Sequence, residues 1–235
     1  LASNEVGKRR LLELGVAEAS RRFRASVHQF RMVPGLPVAY WIPEALARSF
    51  GGKASFGSRV ELKSGVSTGD NSRFQRCWHE VSFRRIAPTG SSDSASKFRW
   101  APCNSGGEPR RWYGNNTVVM DWEDTGGRIR QHPGSAPRNL EYQGREGITY
   151  TKNGGATFAT RYSPAGFVFD DTGRMIFPRG AATIGEVLAF TNSVVAQLYL
   201  DIMSPGLSYT STEIGNMPSL DFEASEVPYR VERAI

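Results

Sequence analysis

Lys63-Ser64-Gly65-Val66-Ser67-Thr68-Gly69-Asp70-Asn71-Ser72-Arg73-Phe74 lies between two strand-like pieces, Arg59-Val60-Glu61-Leu62 and Cys77-Trp78-His79-Glu80-Val81. Glycine reaches backbone conformations that other residues resist. Two glycines among small hydroxyl residues and an Asp-Asn pair therefore predict a tight, exposed loop between strands. Its NH groups, Asn71 and Arg73 could face an anionic or base-bearing ligand. The competing reading is an ordinary connecting loop.

The same texture extends outward from this loop. Between Phe56 and Pro178, short β-rich pieces alternate with Gly, Pro, Asn and Ser clusters, and candidate strands fall at 59–62, 76–82, 117–122, 157–160, 166–170 and 174–177. Many short strands with turn signals predict an α+β fold: a curved, mostly antiparallel β-rich domain with flanking helices. Thr89–Ser96 is polar throughout and is expected to be a disordered insertion.

Upstream, residues 4–31 carry Leu12, Val16, Ala19, Phe23, Val27 and Phe30 at spacings of three and four, one apolar stripe of a helix. Arg9, Arg10, Arg21, Arg22 and Arg24 lie largely off it, on a face that is either solvated or laid along DNA. Pro34-Gly35-Leu36-Pro37 ends this region, 38–42 is expected to be extended and buried, and Pro43 opens a helix that Gly51-Gly52 stops. Residues 1–50 thus form a helical lead-in and 51–235 the main domain. Downstream, 183–203 is helical, with Thr183 and Glu186 placed as a capping box and Asn192-Ser193 capping a second helix after a break. The tail from Ser208 onward is expected to be irregular because Pro218 and Pro228 prevent long helices.

Composition bounds the function. The chain has 235 residues, 39% hydrophobic and 22% charged, which suits a folded core rather than a disordered polymer. No apolar run approaches a membrane span, and Leu1-Ala2-Ser3-Asn4-Glu5, which leads into charged sequence, does not read as a signal peptide. The missing initiator Met suggests either a fragment or a processed chain. Two cysteines, Cys77 and Cys103, are too few for a disulfide framework, so a reducing cytoplasm is the expected location. The net charge of +6, mostly arginine, favours anionic partners, since guanidinium groups make bidentate contacts to phosphate and guanine.

Catalytic chemistry finds little support. Cys77-x-His79 is the closest approach to a metal pair, and a zinc site needs three or four ligands; on a strand the two would share a core or interface face. A Cys103–His132 nucleophilic pair rests on residue type alone. Asp121, Glu123 and Asp124 around Trp122 could hold Mg²⁺ or act as acid and base, but a strand end with solvated acids is the plainer reading. There is no nucleophile elbow, P-loop or dinucleotide fingerprint. The richest constellation is Asn104-Ser105-Gly106-Gly107-Glu108-Pro109-Arg110-Arg111-Trp112-Tyr113-Gly114-Asn115-Asn116. Arginine can hold phosphate or guanine, asparagine can pair with an adenine edge, and Trp112 and Tyr113 can stack on bases. The alternative places Trp112 in the core and leaves Arg110 and Arg111 solvated. Arg138-Asn139, Arg145, Thr149, Lys152 and Arg161 repeat this polar chemistry, read as loop residues.

Several blocks resemble, in order, the C-terminal part of adenine-specific DNA methyltransferases of the BREX phage-defence type (PglX-like). They are Val33–Trp41, Gly65–Phe74, Asn104–Asn116, Ala159–Phe167, Leu188–Ser193 and Gln197–Leu200, spread over roughly residues 30 to 220. The resemblance implies a target-recognition domain related to the specificity domains of type I and type IIG restriction–modification enzymes. Such a domain reads double-stranded DNA, while a methyltransferase domain of the same parent chain binds S-adenosylmethionine and methylates adenine N6. This chain lacks the Asn-Pro-Pro-Tyr motif of that domain and a glycine-rich cofactor motif after a strand, so it is expected to hold no cofactor or metal and to perform no catalysis. The residues expected at DNA are Thr68, Asn71, Arg73, Arg110, Arg111, Asn115, Asn116, Arg138 and Lys152. A protein-interaction module contacting other defence subunits or a phage inhibitor is the competing function.

Overall fold

Two four-stranded sheets organise the chain from Val60 to Pro178. In the first, Val60–Lys63 (β1), Gly173–Pro178 (β8), Gly147–Thr151 (β5) and Thr160–Ser163 (β6) lie side by side in that order, every neighbour antiparallel. In the second the order is Gln75–Cys77 (β2), Val118–Asp121 (β4), Trp100–Asn104 (β3) and Val168–Phe169 (β7), antiparallel except for the β3–β7 pair. The computed structural model describes residues 27–35, 37, 40–51, 54–90, 97–155, 157–203, 206 and 208–219. The chain divides into two units, Leu1–Gly52 and Lys53–Ile235. Helices and largely antiparallel sheets make it an α+β fold.

In the first unit Val27–Met32 (α1) packs on Glu44–Phe50 (α2). Pro43, at φ −62°, precedes α2 and is pre-set for its first turn. The expected extended segment is instead a turn at Tyr40-Trp41, both about half exposed and set edge to face. Most of the predicted long N-terminal helix, residues 4–26, lies outside the described residues, as do residues 91–96 of the polar insertion.

The second unit holds the sheets. Its helices are Asn71–Phe74 (α3), Glu123–Arg130 (α4), Ile184–Thr191 (α5), Val194–Met203 (α6) and Ser211–Asn216 (α7). Central strands β5 and β8 are buried on both faces, and α5 packs across β5, β6 and β8. Ile148, Tyr150, Met175, Ile176 and Leu188 are inaccessible, each contributing about 1.5–3 kcal/mol relative to exposure. The second sheet is closed by Val66, Phe74, Cys103, Met120, Trp122 and Ile129. Thr183 and Glu186 form the reciprocal cap of α5. Ser193 then accepts from Ala196 N (3.1 Å) to start α6, while Asn192 binds both backbone groups of Thr160 and ties the helices to β6. Within the tail, Thr210 and Glu213 form a further capping box, so α7 stands where irregular chain was expected; residues 220–235 lie outside the described residues.

The strand expected at 76–82 stops at Cys77. The Glu80 carboxylate accepts from Cys77 N (2.7 Å) and folds Trp78–Glu80 into a 3₁₀ turn, so Cys77 and His79 share no strand face and both are exposed. Strand 157–160 shifts to Thr160–Ser163, and β3 and β5 are additional.

Candidate functional site

The loop after β1 is fixed by close backbone approach. A Cβ on Gly65 would lie 2.1 Å from the Phe169 carbonyl oxygen, so glycine is required for Val66 N to reach that oxygen (3.1 Å). Ser67 and Ala136 exchange backbone hydrogen bonds of 3.0 and 2.8 Å, and Asn139 Nδ2 donates to Ser64 O (2.8 Å). These bonds set the exposed Arg138 in a segment alongside Thr68, Asn71 and Arg73. Thr68 is buried; its hydroxyl donates to Asn71 Oδ1 (2.5 Å) and accepts from Asp70 N (3.2 Å). Asp70 caps α3, accepting from Ser72 Oγ and Arg73 N, and these bonds hold its carboxyl below the usual carboxylate range. Asn71 and Arg73 are left exposed, the guanidinium 5.2 Å from the Phe74 ring.

The second loop, between β3 and β4, holds five residues in left-handed backbone: Gly106, Gly107, Trp112 (φ 75°), Gly114 and Asn115 (φ 61°). A bulky residue in that region stores conformational strain, and the surroundings hold it there. Asn115 Nδ2 donates to the carbonyls of Gly106 (3.2 Å) and Glu108 (2.9 Å). Trp112 N donates to Thr160 O and Tyr162 N to Trp112 O, so the loop lies along β6. The aromatics point outward: Trp112 is 47% and Tyr113 58% exposed, beside exposed Arg110 and Arg111. Trp112 is therefore not a core residue. Asn116 is half-buried, and Thr151 Oγ1 donates to Gly107 O (3.0 Å), which sets the half-buried Lys152 near the base of this loop. Trp78 N donates to Thr117 O, adding a half-exposed tryptophan at the same end of the sheet.

Both loops are rooted on Asp170, which is buried at the corner between β7 and β8. Its Oδ2 accepts from Gln75 Nε2 (2.8 Å) and Ser105 Oγ; its Oδ1 accepts from Thr172 N, Thr172 Oγ1 and Gly173 N. Arg73 and Arg110 are thus each a few residues from one shared anchor.

Arg161 and Thr149 are not loop residues. Both are buried, on β6 and β5. Arg161 Nη2 has a long contact to Gly106 O (3.5 Å), while Nε and Nη1 have no hydrogen-bond partner among the described residues. Burial, with Arg110 nearby, pushes its pKa down to about 10. Paired strand positions flank it, and Thr160-Arg161-Tyr162 has the β-branched and aromatic neighbours of a strand, the signal that could have placed it.

The acidic cluster is also rearranged. Asp121 is buried, 3.6 Å from Arg99 Nε and 3.4 Å from Arg128 Nε, and Glu123 pairs with Arg128, so these acids are not simply solvated. Burial raises the Asp121 carboxyl pKa against the pull of Arg128 and Arg99. Cys103 sits in the core of the second sheet, where burial pushes its thiol well up, while the His132 ring packs on Phe74. That placement favours packing over nucleophilic work. Among the described residues no three of His, Cys, Asp and Glu converge as metal ligands, and no helix is long and apolar enough to cross a membrane.

No protein-family model matches the chain. It is 32% identical over 212 residues to the adenine-specific methyltransferase PglX of Lacticaseibacillus casei (strain Zhang), covering 83% of this chain and 17% of that protein. It is 31% identical over 193 residues to the adenine-specific methyltransferase BrxX of Escherichia coli O9:H4 (strain HS), covering 81% of this chain and 16% of that protein. The chain spans about a sixth of the length of these curated relatives. By sequence, then, it is related over most of its own length to one segment of the PglX and BrxX adenine-specific methyltransferases.

Proposed function

We propose that this chain is the DNA target-recognition segment of a BREX-type adenine-N6 methyltransferase acting in phage defence, and that the methyl transfer is performed by another domain of the parent protein. The observation that carries this reading is the loop between β3 and β4, which spends backbone strain to hold Arg110, Arg111, Trp112 and Tyr113 outward. Arginines neutralise phosphates and set register, while Asn71, Arg73, Asn116, Arg138 and Lys152 supply groups for backbone or base edges. Asn115, whose amide is bonded to the Gly106 and Glu108 carbonyls, serves by holding the loop in shape. Thr68 serves by orienting Asn71 rather than by contact. Base flipping belongs to the parent's catalytic domain, because adenine N6 must leave the stack to react.

S-adenosylmethionine is assigned to that domain as well. The glycine loop after β1 offers it no cradle: the space beside Gly65 is filled by the Phe169 carbonyl, and the N terminus of α3 is already capped by Asp70. The testing experiment is fluorescence anisotropy of the chain on a duplex across a salt series. Binding that weakens steeply with salt, and that is lost on exchanging Arg110 and Arg111 for Glu, supports the reading; salt-indifferent binding refutes it. A second reading, a protein-interaction module, draws on Val194 and Leu198, one turn apart on α6 and 78% and 44% exposed. Under it the arginine exchange leaves partner binding unchanged.

A further inference from the structure

A separate basic cleft lies at the other end of the second sheet from the strained loop. It is open, about 420 Å³ in volume, and lined by Arg84, Arg85, Lys97, Arg99 and Arg128 with one carboxylate, Glu123. None of these residues belongs to the two loops described above. The fold assembles them from three segments. After β2 the chain makes a 3₁₀ turn at Phe83–Arg85 and returns at Ile86, which bridges Trp100; Ala87 N donates to Trp100 O (2.8 Å). This sets Arg84 and Arg85 near Arg99. Trp122 N donates to Arg99 O (2.8 Å), and left-handed backbone at Asp124, Thr125 and Gly126 bends the start of α4. The buried Asp121 then faces both Arg99 and Arg128 from beneath.

The charges divide into two classes. Arg99 and Arg128 are held by Asp121 and Glu123. Arg84, Arg85 and Lys97 are exposed and have no ion pair among the described residues. Two consecutive left-handed non-glycine residues beside such a cluster are a strained arrangement of the kind concentrated at functional sites. The volume lies within the range of small-ligand sites, roughly 300–1,000 Å³. A polar cleft of forked guanidiniums suits a group of dense negative charge with several acceptor oxygens, which describes phosphate better than a single carboxylate.

We propose that this cleft is a phosphate-binding site. Resting on the DNA reading above, its ligand is the backbone flanking the recognised sequence. The strand β3 runs from the cleft at Trp100 to the loop at Asn104, about 13 Å at the usual rise per residue, comparable with the roughly 12 Å width of the major groove. A loop in the groove and a clamp on the bordering phosphates fit that spacing. A free phosphorylated molecule is the other source of the same chemistry.

The test uses the full chain and the double variant Arg84→Gln, Arg85→Gln; both side chains are exposed, so the fold is not at stake. On duplex DNA the slope of log affinity against log salt should flatten by about two, one for each lost phosphate contact, with equal weakening on all sequences. In parallel, sodium phosphate is compared with sodium chloride at matched ionic strength by thermal shift. A flattened slope with no phosphate-specific shift identifies the DNA backbone as the ligand; a phosphate-specific rise in Tm that the variant loses identifies a free phosphate. Unchanged slope together with no phosphate-specific shift overturns the inference, as does tighter binding of poly-glutamate than of either probe. Should the wild-type chain ignore duplex DNA yet respond to phosphate, the DNA reading fails and the cleft stands.

Discussion

Replacing Asp170 tests whether one carboxylate holds both candidate loops. The side chain accepts five hydrogen bonds, from Gln75, Ser105, both Thr172 donors and Gly173 N. Hydrogen bonds to a charged group are worth about 1.5–3 kcal/mol each, but the five do not add, because lost partners recover differently. Gln75, Ser105 and Thr172 are half-buried and can turn toward water, whereas Gly173 is buried and a Cβ there would lie 2.2 Å from the Asn104 carbonyl, leaving little room for solvent. Asp170→Ala should therefore cost about 3–5 kcal/mol, the range for breaking a buried charged network. Asp170→Asn keeps the acceptor facing Thr172 and Gly173 and meets Gln75 and Ser105 by a flip of the Gln75 amide and rotation of the hydroxyl, so it should cost only about 1–2 kcal/mol. For a domain of this size those values correspond to Tm losses of roughly 6–20 °C and 2–8 °C. Urea unfolding followed by tryptophan fluorescence measures both. An alanine variant within about 1 kcal/mol of wild type, or an asparagine variant as damaged as alanine, would refute the idea of a shared anchor.

Other positions make sharper single-residue statements. Gly65→Ala should destabilise by about 3 kcal/mol, since the new methyl meets a backbone oxygen that cannot swing aside; a loss under about 1 kcal/mol in denaturant melts contradicts the packing. Arg161→Met should raise stability, by as much as about 3 kcal/mol, because the depressed guanidinium pKa of about 10 marks the fold's preference for a neutral group there. The sign follows from linkage: the native state releases the proton first, so wild-type stability is reduced at neutral pH and recovers as pH rises beyond about 10, where the advantage of methionine shrinks. A lower Tm for Arg161→Met at pH 7 would disprove it. Thr183→Ala should remove about 1 kcal/mol by uncapping α5, with Thr183→Ser largely restoring it; equal melting temperatures for all three proteins would count against the cap.

Local chemistry is what the sequence states well. The turn chemistry of the loop after β1 follows from its glycines and Asp-Asn pair, although Gly65, Val66 and Thr68 are buried where an exposed loop was expected. The Thr183–Glu186 box marks the start of α5 without any tertiary information. Strands with β-branched or aromatic residues between turn signals, such as β1, β4 and β8, were legible for the same reason. Trp100-Ala101-Pro102-Cys103-Asn104 carries a proline and no alternation, so nothing local marks it as a strand; it becomes one because β4 pairs along it, while β7 pairs only beyond Pro102. Tertiary structure alone decided the rest of the site. Asp170 lies 95 residues from Gln75 and 65 from Ser105, the basic cleft draws on three separate segments, and the neighbours of Arg161 mark a strand but not that its guanidinium is buried. Sequence periodicity reports which face of an element is apolar, but which distant charges and carbonyls end up within a few ångströms depends on how the two sheets meet, and that is set by the packing of the whole domain.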